Sequence, residues 1–75
     1  MENKNLRMEL ARRGYPISYV SQRLGLRVYL FSLYLNGLRT MPDPIRDSIC
    51  EFLEVPRDVL FNPSEREYFK YLVEH

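Results

Sequence analysis

Apolar residues return along this chain at intervals of three and four, the rhythm of helices, and never in the alternation of a strand. Leu6, Leu10 and Ala11 share one face of a first segment running to Arg13, with Asn5 placed to cap its start and Gly14 to stop it. Pro16 suits the first turn of a second segment. There Ile17, Val20, Ser21 and Leu24 fall at i, i+3, i+4 and i+7, a narrow inward stripe. Gly25 then permits a tight turn, because without a Cβ it takes positive φ freely.

A third segment runs from Arg27 or Val28 to Leu35, turns Phe31, Tyr34 and Leu35 inward, and closes at Asn36-Gly37. Asp43 reads as a cap and Pro44 as the first helical residue of a fourth segment, whose inward positions are Ile45, Ile49, Phe52 and Leu53. Pro56 opens a brief fifth segment, Arg57 to Phe61. Asn62-Pro63-Ser64-Glu65 starts a sixth, where Tyr68, Phe69, Leu72 and Val73 make a short apolar stripe and Glu65 and Glu67 place negative charge near a helix N-terminus. The pattern predicts an all-α chain with Leu10, Val20, Leu24, Phe31, Ile49, Phe52, Leu53 and Leu60 in one core.

Seventy-five residues suffice for one domain with a small core. A 45% hydrophobic and 28% charged composition is that of an ordinary globular domain, and no stretch approaches the ~20 apolar residues of a membrane span. The start, Met1 to Asn5, is polar and leads straight into an amphipathic segment, so no signal peptide is expected. Cys50 is the one cysteine. It excludes an intramolecular disulfide, points to a cytoplasmic setting, and reads as a packed small hydrophobe. With His75 the single histidine, no His/Cys metal site is expected. No Gly-rich phosphate loop is present, and the carboxylates have no His or Lys partner in a cleft, so neither a cofactor nor an enzymatic activity is expected.

The net charge of +1 says little, but its distribution says more. Residues 1–40 hold seven Lys and Arg against two acids, Glu2 and Glu9. Residues 41–75 hold four against eight. A basic half joined to an acidic half gives the domain an oriented field, the electrostatic footprint of a nucleic-acid binder.

Residues 17–37 concentrate the functional signal. A helix of about two turns, a tight turn around Gly25 and a second helix ending in Asn-Gly predict two short helices crossing steeply. The small Ser21 sits where such helices come close. In DNA-binding proteins built this way the second helix enters the major groove and the first lies across the backbone.

Further residues complete a pattern: Leu6-Arg7, Arg13-Gly14, Val20-Ser21, Leu24-Gly25-Leu26, Phe31-Ser32, Leu35-Asn36-Gly37, Arg39 and Pro42, then Ile49 to Leu53 and Val55 to Phe61. In these the chain resembles the lambda-repressor-like, or Cro/C1-type, helix-turn-helix family over residues 5–61. The most specific signals are the Leu-Gly-Leu turn and the Asn-Gly-x-Arg loop, thirteen residues apart from Leu24 to Gly37. The resemblance implies a compact five-helix domain over 5–61, with 62–75 a helical extension for packing or dimerisation through Tyr68, Phe69, Leu72 and Val73. It implies a prokaryotic or phage-type transcriptional regulator that binds duplex DNA as a homodimer. Val28, Tyr29, Ser32 and Leu33 would face the bases, with Leu30 partly inward. Ile17, Arg27, Asn36 and Arg39 would meet the DNA backbone, joined by Arg12, Arg13 and Arg23.

Two departures shape that expectation. Many family members carry Ser-Gln where this chain has Pro16-Ile17. Their recognition helices present Arg, Gln, Asn, Ser or Thr outward, whereas Val28, Tyr29, Ser32 and Leu33 offer two hydroxyls and apolar groups. The bidentate base pairings of Arg, Asn and Gln are therefore missing. An exposed apolar face is also the mark of a protein-binding surface. The sequence thus leaves open a second function, a helix-turn-helix module that captures a protein partner through its third helix, as an antirepressor or assembly factor would.

Overall fold

Local breakers decide where each helix ends. The computed structural model describes residues 3–75 and folds them into α1 Lys4–Arg13, α2 Ile17–Leu24, α3 Val28–Leu35, α4 Asp43–Leu53, α5 Arg57–Leu60 and α6 Glu65–Glu74, with no strand among the described residues. Gly25 closes α2 at φ 71°. Its N–H meets the Gln22 carbonyl at 3.2 Å and the next N–H, of Leu26, meets that of Ser21 at 2.8 Å, so the orphan carbonyls of α2 are satisfied within the turn. The radius of gyration, 11.6 Å, is that of a close-packed chain of this length.

Leu6, Leu10, Val20, Phe31, Tyr34, Leu35, Met41, Ile49, Leu53, Val55 and Leu60 form the buried core, so every helix from α1 to α5 contributes to it. Of the expected core, Leu24 and Phe52 are only half-buried. Phe52 lies at the rim, its ring stacked 5.9 Å from Tyr15 and covered by the Arg23 guanidinium at 5.3 Å. Ser21 is buried, as a close helix contact requires, and its hydroxyl donates to the Ser18 carbonyl at 3.1 Å.

Three local expectations need correction. The first helix begins at Lys4, so Asn5 is no cap: it lies inside the first turn, buried. Its Nδ2 lies 2.9–3.0 Å from the carbonyls of Val59, Asn62 and Ser64, which share its two hydrogens. Those carbonyls sit where α5 ends and the chain turns into α6, and lack helical partners of their own, so a buried amide supplies the donors. Asp43 is likewise no cap. Pro42 already holds the extended cap conformation, Asp43 is the first helical residue and Pro44 the second, and the Asp43 carboxylate turns to Arg57, which also reaches Asp47 at 3.1 Å. Ile17 leaves the inward stripe and is 39% exposed. Helical side chains lean towards the N-terminus, and the first residue has no preceding turn of its own helix to cover it.

The extension from residue 62 docks on α1 and α5 through Tyr68, which is 2% exposed. Its hydroxyl donates to Glu9 at 2.8 Å, and Glu9 is itself fully buried. Arg12 and Arg13 also converge on that carboxylate, Arg12 at 2.6 Å, from the next turn of the same helix. Burial alone would push the Glu9 carboxyl up; hydrogen bonds from Arg12, Arg13 and Tyr68 together outweigh it and hold the group below the ordinary carboxylate range. Burial and the adjacent Glu9 push the Tyr68 phenol up, so it stays a donor. The Cys50 thiol, half-buried beside the core, is pushed up by burial and then by Asp47, and remains protonated.

Candidate nucleic-acid interface

The turn Gly25-Leu26-Arg27 sets α2 against α3, and the two helices pack against each other. Phe31, Tyr34 and Leu35 anchor α3 in the core, which forces its first turn outward. Val28 is 48% and Tyr29 76% exposed, while Leu30, Ser32 and Leu33 are half-buried. The four expected base-facing residues therefore divide into two that project freely and two at the margin. Arg27 precedes the helix in an extended conformation; its carbonyl accepts from the Phe31 N–H at 3.0 Å and its side chain makes no capping bond. The loop after α3 exposes Leu38 (72%), which sequence periodicity did not single out, and Arg39.

Arg7, Arg23, Arg27 and Arg39 are all exposed, and no Asp or Glu occurs between Glu9 and Asp43. Asn36 bridges two elements: its Oδ1 accepts from Arg7 at 2.9 Å, and its Nδ2 donates to the Ser32 carbonyl at 3.0 Å and hydroxyl at 3.3 Å. The sequence carried no local signal for the Arg7 contact, which joins residues 29 apart. Arg12 and Arg13 lie elsewhere. Both are engaged with Glu9, and Arg13 also donates to the Leu53 carbonyl and lies 5.9 Å from the Tyr15 ring centre. Ile17, at the start of α2, is exposed but offers no polar atom of its side chain.

The α6 stripe splits by face. Tyr68 is buried and Leu72 half-buried, whereas Phe69 (49%) and Val73 (88%) project outward. No helix of the described residues is long and apolar enough to cross a membrane. No known family model, curated protein or solved structure matches the chain.

Proposed function

We propose that this protein binds duplex DNA through α2 and α3 in the manner of a helix-turn-helix, with α3 in the major groove, and that it serves as a transcriptional regulator of the prokaryotic or phage type. One observation carries the reading. The outward first turn of α3 lies in a stretch of chain without a single acid, and exposed Arg23 and Arg27 precede it while Arg39 follows. Arginines so placed neutralise phosphates, and phosphate contacts supply most of the affinity of such a protein. Base discrimination is low. Tyr29 and Ser32 are the hydroxyls available, and the Ser32 hydroxyl is already bonded to Asn36. Arg12 and Arg13, engaged with Glu9, are left out of the phosphate set.

Arg27→Ala and Arg39→Ala each weaken binding to all duplexes by a similar factor and flatten the slope of log affinity against log salt by about 1. Fluorescence anisotropy of a labelled duplex at several salt concentrations measures both effects. A second reading has its own observation: Val28, Tyr29 and Leu38 form exposed apolar surface on α3 and the loop that follows it. If α3 captures a protein instead, Val28→Asp abolishes capture and the arginine variants leave it unchanged.

The regulator acts as a homodimer in this reading, with the outward Phe69 and Val73 of α6 as the surface that two copies share. Sedimentation equilibrium checks this: the wild type associates with rising concentration and Phe69→Glu stays monomeric. A wild type that is monomeric throughout removes the dimer.

A further inference from the structure

A groove of roughly 670 Å³ runs between α1, the start of α2 and the end of α3, on a stretch of surface to which the DNA reading assigns nothing but Ile17. Lys4, Arg7, Met8 and Ala11 recur at i, i+3, i+4 and i+7 along α1 and form one wall; Pro16, Ile17 and Leu35 contribute to the other side. Its volume lies in the range of small-molecule clefts, about 300–1,000 Å³. The floor is apolar, and the two charges at its edge are both cationic.

These two cations are not equivalent. Lys4 is ion-paired with Glu65, so its charge is already balanced. Arg7 has as its hydrogen-bond partner the neutral amide oxygen of Asn36, at 2.9 Å, and that bond uses Nη1 alone. A guanidinium with no carboxylate partner among the described residues, beside an apolar trough, matches a ligand with one anionic end and an apolar body. A carboxylate takes a guanidinium by two parallel charge-assisted bonds and balances its charge, which a single bond to a neutral amide oxygen does not.

We infer that the α1–α2 groove is a binding site for a small apolar carboxylate, anchored by Arg7. Binding there also reaches α3. A carboxylate on Arg7 arrives beside the Asn36 oxygen bonded to Nη1, and Asn36 is the residue that holds the Ser32 hydroxyl and carbonyl. Occupancy of the groove is thereby sensed at the Asn36 side chain, at the C-terminal end of α3. The site stands without the DNA reading, because its signal lies within the chain itself.

Decanoate, below its micelle-forming concentration, is the probe, titrated into the 15N-labelled full chain and followed by NMR. The expected result is saturable binding at one site, with shifts at Met8, Ala11, Ile17 and Leu35 and at the side-chain amide of Asn36. Decanol, which keeps the chain and lacks the charge, binds about ten-fold more weakly or worse, the ratio that one charge-assisted bond contributes. Arg7→Gln, at an exposed position, lowers decanoate affinity to the level of decanol, and Lys4→Gln lowers it far less. The comparison of decanoate with decanol on the wild type needs no variant to fold. Equal binding of the two, shifts that never saturate, or an Arg7→Gln affinity equal to that of the wild type overturns the assignment. So does saturable binding of an acidic amphipathic peptide with none of decanoate, which would make the groove a protein-docking surface.

Discussion

Phe31→Ala lowers the stability of the domain by about 3–5 kcal/mol, the cost of removing a fully buried aromatic ring. Phe31 is 0% exposed and is among the largest buried side chains of the chain. It projects from α3 into the core cluster that α1, α2, α4 and α5 also build. A domain of this length has little stability in reserve: ΔG of unfolding starts at about 5 kcal/mol for native proteins, and short chains bury the smallest fraction of their surface. At that lower limit the variant keeps only about 0–2 kcal/mol and unfolds at far lower urea than the wild type. Leu24→Ala costs less, because Leu24 is only half-buried. Urea denaturation of both variants measures the difference. A Phe31→Ala loss below about 1 kcal/mol, well under the core range, contradicts the packing of α3.

Glu9→Ala has the second-largest effect, about 2–3 kcal/mol at neutral pH. That is less than the ~3–5 kcal/mol of breaking a fully enclosed ion pair, because Arg12 is half-exposed and returns to water once freed. The Tyr68 hydroxyl, however, loses its acceptor inside the protein, and α6 loses its polar tie to α1. The sign of the pH dependence follows from the lowered carboxyl. A group whose folded pKa lies below its ordinary value of 4.5 contributes stability that is fully present above that value and is lost as pH falls through the lower, folded one. The wild type therefore weakens on acidification below about pH 4.5. Glu9→Gln, which keeps the shape and still accepts from Tyr68, starts less stable at pH 7 and falls less steeply. Urea midpoints at pH 7 and pH 3 test this, with amide exchange in α6 as the local readout. Wild type and Glu9→Gln losing equal stability between the two pH values would show that Glu9 is not held as described.

The helices were legible because their punctuation is local. Gly14, Gly25 and Pro56 act on the backbone within a turn of where they stand, and the inward set of α3 was readable from its spacing, while the outward placement of Val28 and Tyr29 came with the resemblance. What escaped was long-range. Asn5 looks like a cap because its partners, Val59, Asn62 and Ser64, lie 54–59 residues away. Met41 and Val55 are buried in the connections flanking α4, where helical periodicity does not reach. Glu9 did carry a signal, since Arg12 and Arg13 follow it at i+3 and i+4. Its burial depends on Tyr68, 59 residues on, and that burial turns a surface ion pair into the anchor of α6. The same contacts draw Arg12 and Arg13 away from the phosphate set that the resemblance implied. Arg7, named in the resemblance for its position alone, emerges as the residue that ties α1 to Asn36.

The central claim, that α3 and its flanking arginines hold duplex DNA, is tested most directly by the salt dependence of binding to a mixed-sequence duplex. Each neutralised phosphate releases counterions, with a slope of log affinity against log salt of about −0.9 per contact. Arg23, Arg27 and Arg39 together predict a slope of about −2.7 per protomer, with little change when the duplex sequence is altered. No salt-sensitive binding to any duplex, at salt concentrations low enough to favour phosphate contacts, contradicts the account and leaves the exposed surface of Val28 and Tyr29 to a protein partner.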